Sequence, residues 1–173
     1  MTKILLIGSK SENYVSEFIK YFKNYFLISK NNIKIPERDY YEFIIFDNIV
    51  NTDITSDFVI FINQDFGKFP IDSVLSRHTM IFLSRDNGNA IDFMKNLPNS
   101  CVSFGLSELD TVTLTGSNDT SATVCIQREI VYKNCFLELQ EYNISINNLS
   151  QDLLTAAMQA SVIIKLCGSE ITF

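Results

Sequence analysis

The stretch Ile4-Leu5-Leu6-Ile7-Gly8-Ser9-Lys10-Ser11-Glu12 decides the fold class. Four consecutive apolar residues closed by a glycine suit a strand buried on both faces, since a half-exposed strand alternates apolar with polar residues. Ser9 followed three residues later by Glu12 is the capping-box pattern that opens a helix. Apolar residues then recur at Tyr14, Val15, Phe18, Ile19, Phe22, Tyr25 and Phe26, a stripe at helical spacing one face wide. Strand then helix is the opening of a βαβ unit.

Further continuous apolar runs follow at Phe43–Phe46, Phe58–Ile62 and Met80–Leu83. They end in Asp47-Asn48, in Asn63-Gln64-Asp65 and near Arg85-Asp86-Asn87. Their continuity predicts a mainly parallel sheet covered by helices on both faces. Asn89–Leu97 reads as a short helix stopped by Pro98, and Val102–Phe104 as one more strand. After Gly105 the texture changes to short, partly alternating stretches at 111–114, 123–127, 129–132 and 136–139, separated by polar turns such as Gly116-Ser117-Asn118-Asp119. These predict an antiparallel meander. Leu149, Leu153, Leu154, Ala157, Ala160, Ile164 and Cys167 then mark a final amphipathic helix with Gly168 at its stop. The expected fold class is α/β: a parallel part over 1–105, extended by an antiparallel portion and a last helix over 106–173, in a single domain.

A chain of 173 residues can bury a real core, and 46% hydrophobic with 20% charged residues is ordinary for a globular protein. A formal charge of −6 and the lack of a basic stripe argue against nucleic acid as a partner. No signal-peptide core or membrane-spanning run is visible, so the expected setting is cytoplasmic, away from membranes. Cys101, Cys125, Cys135 and Cys167 share no C-x-x-C spacing and the chain has one histidine, which argues against zinc. The cysteines read as small apolar residues in a reducing compartment.

In open parallel sheets, ligands sit outside the carboxyl ends of the strands. That rule selects Gly8, Ser9, Lys10, Ser11, Asp47, Asn48, Asn63, Gln64, Asp65, Asp86 and Asn87, although polar residues also follow buried strands simply because the chain is returning to water. The 8–11 loop offers a glycine, backbone N–H groups, a lysine and two hydroxyls to an anion. A full phosphate-binding loop is G-x-x-x-x-G-K-[ST]; here Lys10-Ser11 follows Gly8 after one residue and the second glycine is missing, so a working NTPase loop is not expected. His78 has no partner pattern that would make it catalytic.

Cys101-Val102-Ser103-Phe104-Gly105-Leu106-Ser107-Glu108-Leu109-Asp110 resembles the "v-t-F-G-x-s-x-x-A-D" segment late in the central, ATP-binding domain of the Mur ligases, which add amino acids to peptidoglycan precursors. The meander and the alanine-bearing helix with Ala156, Ala157, Ala160 and Leu166-Cys167-Gly168 follow in the same order as in that family. The resemblance makes Asn63 a strand-end asparagine of the nucleotide site, Asp86-Asn87 the counterpart of "N-x-D-D", and Asp47 a stand-in for a metal-supporting glutamate. It implies ATP, ADP or phosphate with magnesium as ligand. The chain departs from the family in its shortened 8–11 loop, in lacking a histidine after Asn63, and in having only Asn147-Asn148 where "H-N-x-x-N" enters the last helix. It covers only the family's central domain. The expectation is a stand-alone, degenerate and non-catalytic nucleotide- or phosphate-binding accessory module. If it did turn over, the reaction would be ligase-like or NTPase-like. The alternative is a structural or interaction domain with a protein partner encoded nearby. Asp39–Asp47 also looks like the phosphoacceptor strand of response-regulator receivers, but Gly8-Ser9 stands where receivers need an acidic pair.

Overall fold

Each continuous apolar run forms a strand buried on both faces, in a computed structural model that describes residues 1–8, 12–30, 33–34, 41–49, 55–63, 75–147 and 149–169. Two compact units emerge: Met1–Ser11 with Lys23–Cys101, and Glu12–Phe22 with Val102–Phe173.

The first unit is built on β1 (Thr2–Ile7), β2 (Tyr25–Ser29), β3 (Ile33–Lys34), β4 (Phe43–Asp47), β5 (Phe58–Phe61) and β6 (Met80–Ser84). Their order across the sheet is β6-β5-β1-β4-β2-β3, with every neighbouring pair parallel except the antiparallel β2–β3 edge. Ile4–Ile7 and Phe58–Phe61 are all but inaccessible, as central strands of a covered parallel sheet must be. On one face Leu5, Ile7, Phe46, Val59, Phe61, Ile81 and Leu83 cluster with Ala90, Ile91 and Phe93 of a short helix, α2 (Gly88–Met94). Phe61 and Phe93 meet edge to face, with ring centroids 5.8 Å apart. The Asn87 side chain starts α2 by accepting the Ala90 N–H at 3.0 Å.

The second unit contains α1 (Glu12–Ile19), the Val102–Phe104 part of β7 (Cys101–Phe104), β8 (Val112–Ser117), β9 (Ser121–Ile126), β10 (Ile130–Tyr132), β11 (Cys135–Leu137), β12 (Gln140–Ser145) and α3 (Gln151–Leu166). Here β7 and β8 run parallel, while β8–β9 and β9–β12 are antiparallel. In β9, Ala122, Val124 and Ile126 are buried and the residues between them are not, the period of two of a one-sided sheet. Alpha-helix α3 is buried on all sides from Ala156 to Ile164. Its polar exceptions have partners: Gln159 takes the Tyr14 hydroxyl of α1, and Ser161 meets the Tyr142 hydroxyl of β12 at 2.9 Å. Burial pushes both tyrosine hydroxyls well above their usual range, so they stay neutral. Gly168 ends α3 at φ +69°, with Gly168 N–H to Lys165 O and Ser169 N–H to Ile164 O, a Schellman stop.

The class is therefore the expected α/β one, parallel strands first and antiparallel strands after. Two local readings are corrected. The apolar stripe from Tyr14 does not stay helical: α1 stops at Ile19, and Tyr25 and Phe26 belong to β2, where the β-prone run Tyr25–Ile28 pairs with β4. Tertiary pairing outweighs a periodicity that short segments share by chance. The meander has one strand more than its apolar pattern suggested, since β12 carries polar residues on its outward positions. None of the four cysteines forms a disulfide; Cys101 and Cys135 are exposed, and Cys125 and Cys167 are half-buried.

Candidate functional site

In the first unit β1 stands between β4 and β5. The chain leaves β1 toward β2 on one side, then crosses back to β5 and β6 on the other. In open parallel sheets the carboxyl end of the strand at such a reversal is where ligands bind.

Gly8 follows β1 at that point. A Cβ here would stand 2.9 Å from Asn63 Oδ1 and 3.0 Å from Ile62 Cβ, so only glycine lets the end of β1 lie flush against the end of β5. The Gly8 N–H donates to Asn48 Oδ1 at 2.8 Å. Asn48 reaches it from a left-handed backbone at φ +53°, a conformation asparagine tolerates better than most residues. Its Nδ2 donates to Asp47 Oδ1 at 2.9 Å. Across the edge, Asn87 Nδ2 donates to the Asn63 carbonyl at 2.8 Å, while Asn87 Oδ1 caps α2. Asp47, Asn48, Gly8, Asn63 and Asn87 thus form a polar row over the ends of four adjacent strands, β4, β1, β5 and β6.

The structure brings Gly8, Asp47, Asn63 and Asn87 of the expected site together. Asp86 is exposed, with its backbone N–H on Ser84 Oγ at 3.3 Å. Ser9, Lys10, Ser11, Gln64 and Asp65 lie outside the described residues. Asp47 and Asp86 end strands separated by β1 and β5. At about 4.8 Å per strand spacing that is roughly 14 Å, too far for the two carboxylates to share one ion. Among the described residues no group of three or more His, Cys, Asp or Glu could hold a metal ion. Asp47 suits a magnesium that arrives with phosphate oxygens, because such an ion takes one or two protein carboxylates and fills its octahedron with phosphate and water.

Asn48 is what sequence reasoning undervalued. In sequence it is one residue of a polar strand end, and nothing in its spacing signals that its carboxamide ties β4 to β1. The Mur-like segment 101–110 also has a local role. A Cβ on Gly105 would stand 2.3 Å from Asp110 Oδ2, and that oxygen accepts the Ser107 N–H at 3.2 Å. Asp110 is buried, and its Oδ1 has no hydrogen-bond partner among the described residues.

No family model and no curated protein matches this sequence. Solved structures do match. The UDP-N-acetylmuramate:L-alanyl-gamma-D-glutamyl-meso-diaminopimelate ligase of Neisseria meningitides superposes with TM-score 0.60 at 8% identity, over 97% of this chain and 62% of the ligase. E. coli FolC in complex with DHPP and ADP gives 0.60 at 7% identity, over 99% of this chain and 54% of FolC. A bifunctional folylpolyglutamate synthase/dihydrofolate synthase with Mn, AMPPNP and L-glutamate bound gives 0.61 at 7%, over 99% and 55%. The chain therefore has the α/β fold shared by these ligases and spans a little over half of their length. A receiver fold does not accommodate β8, β9 and β12. No helix among the described residues is long and apolar enough to cross a membrane.

Proposed function

We propose that the chain is a nucleotide- or phosphate-binding module, built on the fold of the Mur ligase ATP-binding domain and acting in a regulatory or accessory role without ligase turnover. Gly8 is the observation that carries this reading. It marks the centre of a polar row, packed against Asn63 and Ile62 with its N–H held by Asn48, at the carboxyl end of β1 where ligands of such sheets bind. The row itself is mostly uncharged amide. Asparagine carboxamides accept and donate hydrogen bonds but do not act as general bases near neutral pH, so they suit holding a ligand better than transforming it. Asn48 and Asn87 are committed to protein backbone, which fixes the row before any ligand arrives. Asp47 is the residue that would face a magnesium brought in by phosphate.

A thermal-shift screen against ATP, ADP, UDP-sugars and inorganic phosphate, with and without magnesium, tests the proposal. A ligand at a hundredfold excess over its dissociation constant adds about 2.7 kcal/mol of stability. Stabilisation by at least one phosphate-bearing compound is expected. No shift with any of them would overturn the binding half of the reading, and phosphate release at about 1 per second or faster would overturn the non-catalytic half.

A further inference from the structure

We propose that one end of the second unit's antiparallel sheet, carrying Leu106, Leu109, Val131, Phe136 and Leu139, docks a polypeptide partner whose apolar side chains are framed by lysine or arginine. The strand registers place these residues together. Val112 of β8 and Gln140 of β12 both lie opposite Ile126 of β9. The start of β8, the end of β9 and the start of β12 therefore share one end of the sheet. Leu106 and Leu109 precede β8, the β10–β11 hairpin follows β9, and Leu139 precedes β12.

All five side chains are 57–67% exposed. Val131 and Phe136 are direct cross-strand partners in the hairpin, so they stand on one face of it. Arg128 links the hairpin base to the 105–110 turn by donating from Nη1 to the Leu109 carbonyl at 2.7 Å. Single exposed apolar residues are ordinary, but five gathered at one end mark a binding surface.

Charge selects the occupant. The exposed acids at this end are Glu108, Glu129, Glu138 and Glu141. Its two cations are occupied locally, Arg128 on the Leu109 carbonyl and Lys133 4.9 Å over the Tyr132 ring. A second copy of this chain would set one acidic rim against another, and an anionic lipid surface would be repelled. A partner with a basic frame gains at both the apolar centre and the rim.

The test uses the full chain and two synthetic peptides of equal leucine content, one framed by lysine and one by glutamate, titrated by fluorescence anisotropy. The lysine-framed peptide is expected to bind at least tenfold more tightly. Phe136→Ser combined with Leu139→Ser keeps every charge and should weaken it at least tenfold, with peptide-induced amide NMR shifts centred on 106–109 and 128–139. If that variant melts lower than the parent, Val131→Thr, which keeps β-branching, gives the same comparison. Equal binding of the two peptides, absence of binding, or binding indifferent to the apolar substitutions would each overturn the proposal. So would a dimer in sedimentation that the serine variant dissolves, because the occupant would then be a second copy.

Discussion

Both units seat a glycine against a polar side chain, and the two seats differ in how they are satisfied. In the first unit Gly8 lies against Asn63, a neutral amide, inside a row where Asn48 and Asn87 bond the backbone on either side. In the second, Gly105 lies against Asp110, a buried carboxylate that holds one N–H at 3.2 Å and whose other oxygen has no partner among the described residues. A satisfied amide row costs little. A buried, under-bonded carboxylate costs stability, and what it gains is a fixed turn between β7 and β8. The first seat belongs to a candidate site; the second is architecture, although it lies in the segment that most resembles the Mur ligases.

The sharpest way to break this contrast is at Gly105. Gly105→Ala should lose about 3 kcal/mol, the upper end of what overpacking costs, because the new Cβ would lie 2.3 Å from Asp110 Oδ2. Adding Asp110→Ala should recover part of that loss. Urea unfolding of the two single variants and the double variant measures the coupling, expected at 1–3 kcal/mol. Strict additivity would show that the carboxylate does not hold the turn.

Gly8→Ala should cost a comparable amount, about 1–3 kcal/mol, since its Cβ would meet Ile62 Cβ at 3.0 Å as well as the Asn63 side chain, on a backbone at φ +156°. Unlike Gly105→Ala, it should also abolish any stabilisation by phosphate compounds. If both glycine variants lose stability but neither loses ligand binding, the distinction between site and architecture fails.

Asn87→Ala should cost about 1–2 kcal/mol through the lost α2 cap and the lost bond to the Asn63 carbonyl. The smallest effect is expected at Asn48. Asn48→Gly keeps the left-handed backbone and removes only the carboxamide, so a loss of about 0.5–1.5 kcal/mol is predicted. The diagnostic readout is faster hydrogen exchange of the Gly8 amide, with Asn48→Asp restoring protection because it keeps the acceptor.

Much of this molecule is legible in its residues. Runs such as Ile4–Ile7 and Phe58–Phe61 announce parallel strands because both of their faces must be apolar, and Gly168 announces the end of α3 because its backbone turns left-handed there. Tyr25 and Phe26 were misleading because two aromatics one turn beyond Phe22 satisfy helical spacing, while the β4 strand that claims them lies some twenty residues away. The strand β12 was hidden because Glu141 and Asn143 occupy its outward positions. In the site, the carboxyl-edge rule identified Gly8, Asp47, Asn63 and Asn87, but not which of them is committed to the protein. Asn87 looks like a ligand-facing residue in sequence and turns out to be a helix cap, and Asn48 carries a tie that depends on a left-handed φ no local pattern reveals.

The central claim is that the end of β1 holds a phosphate-bearing ligand without turning it over. Calorimetric titration of magnesium-ADP and inorganic phosphate into the parent chain, Gly8→Val and Lys10→Ala addresses it most directly. Saturable binding to the parent with a dissociation constant below about 1 mM, lost in both variants, is the predicted result. No heat from either ligand, or equal binding by all three proteins, would contradict it.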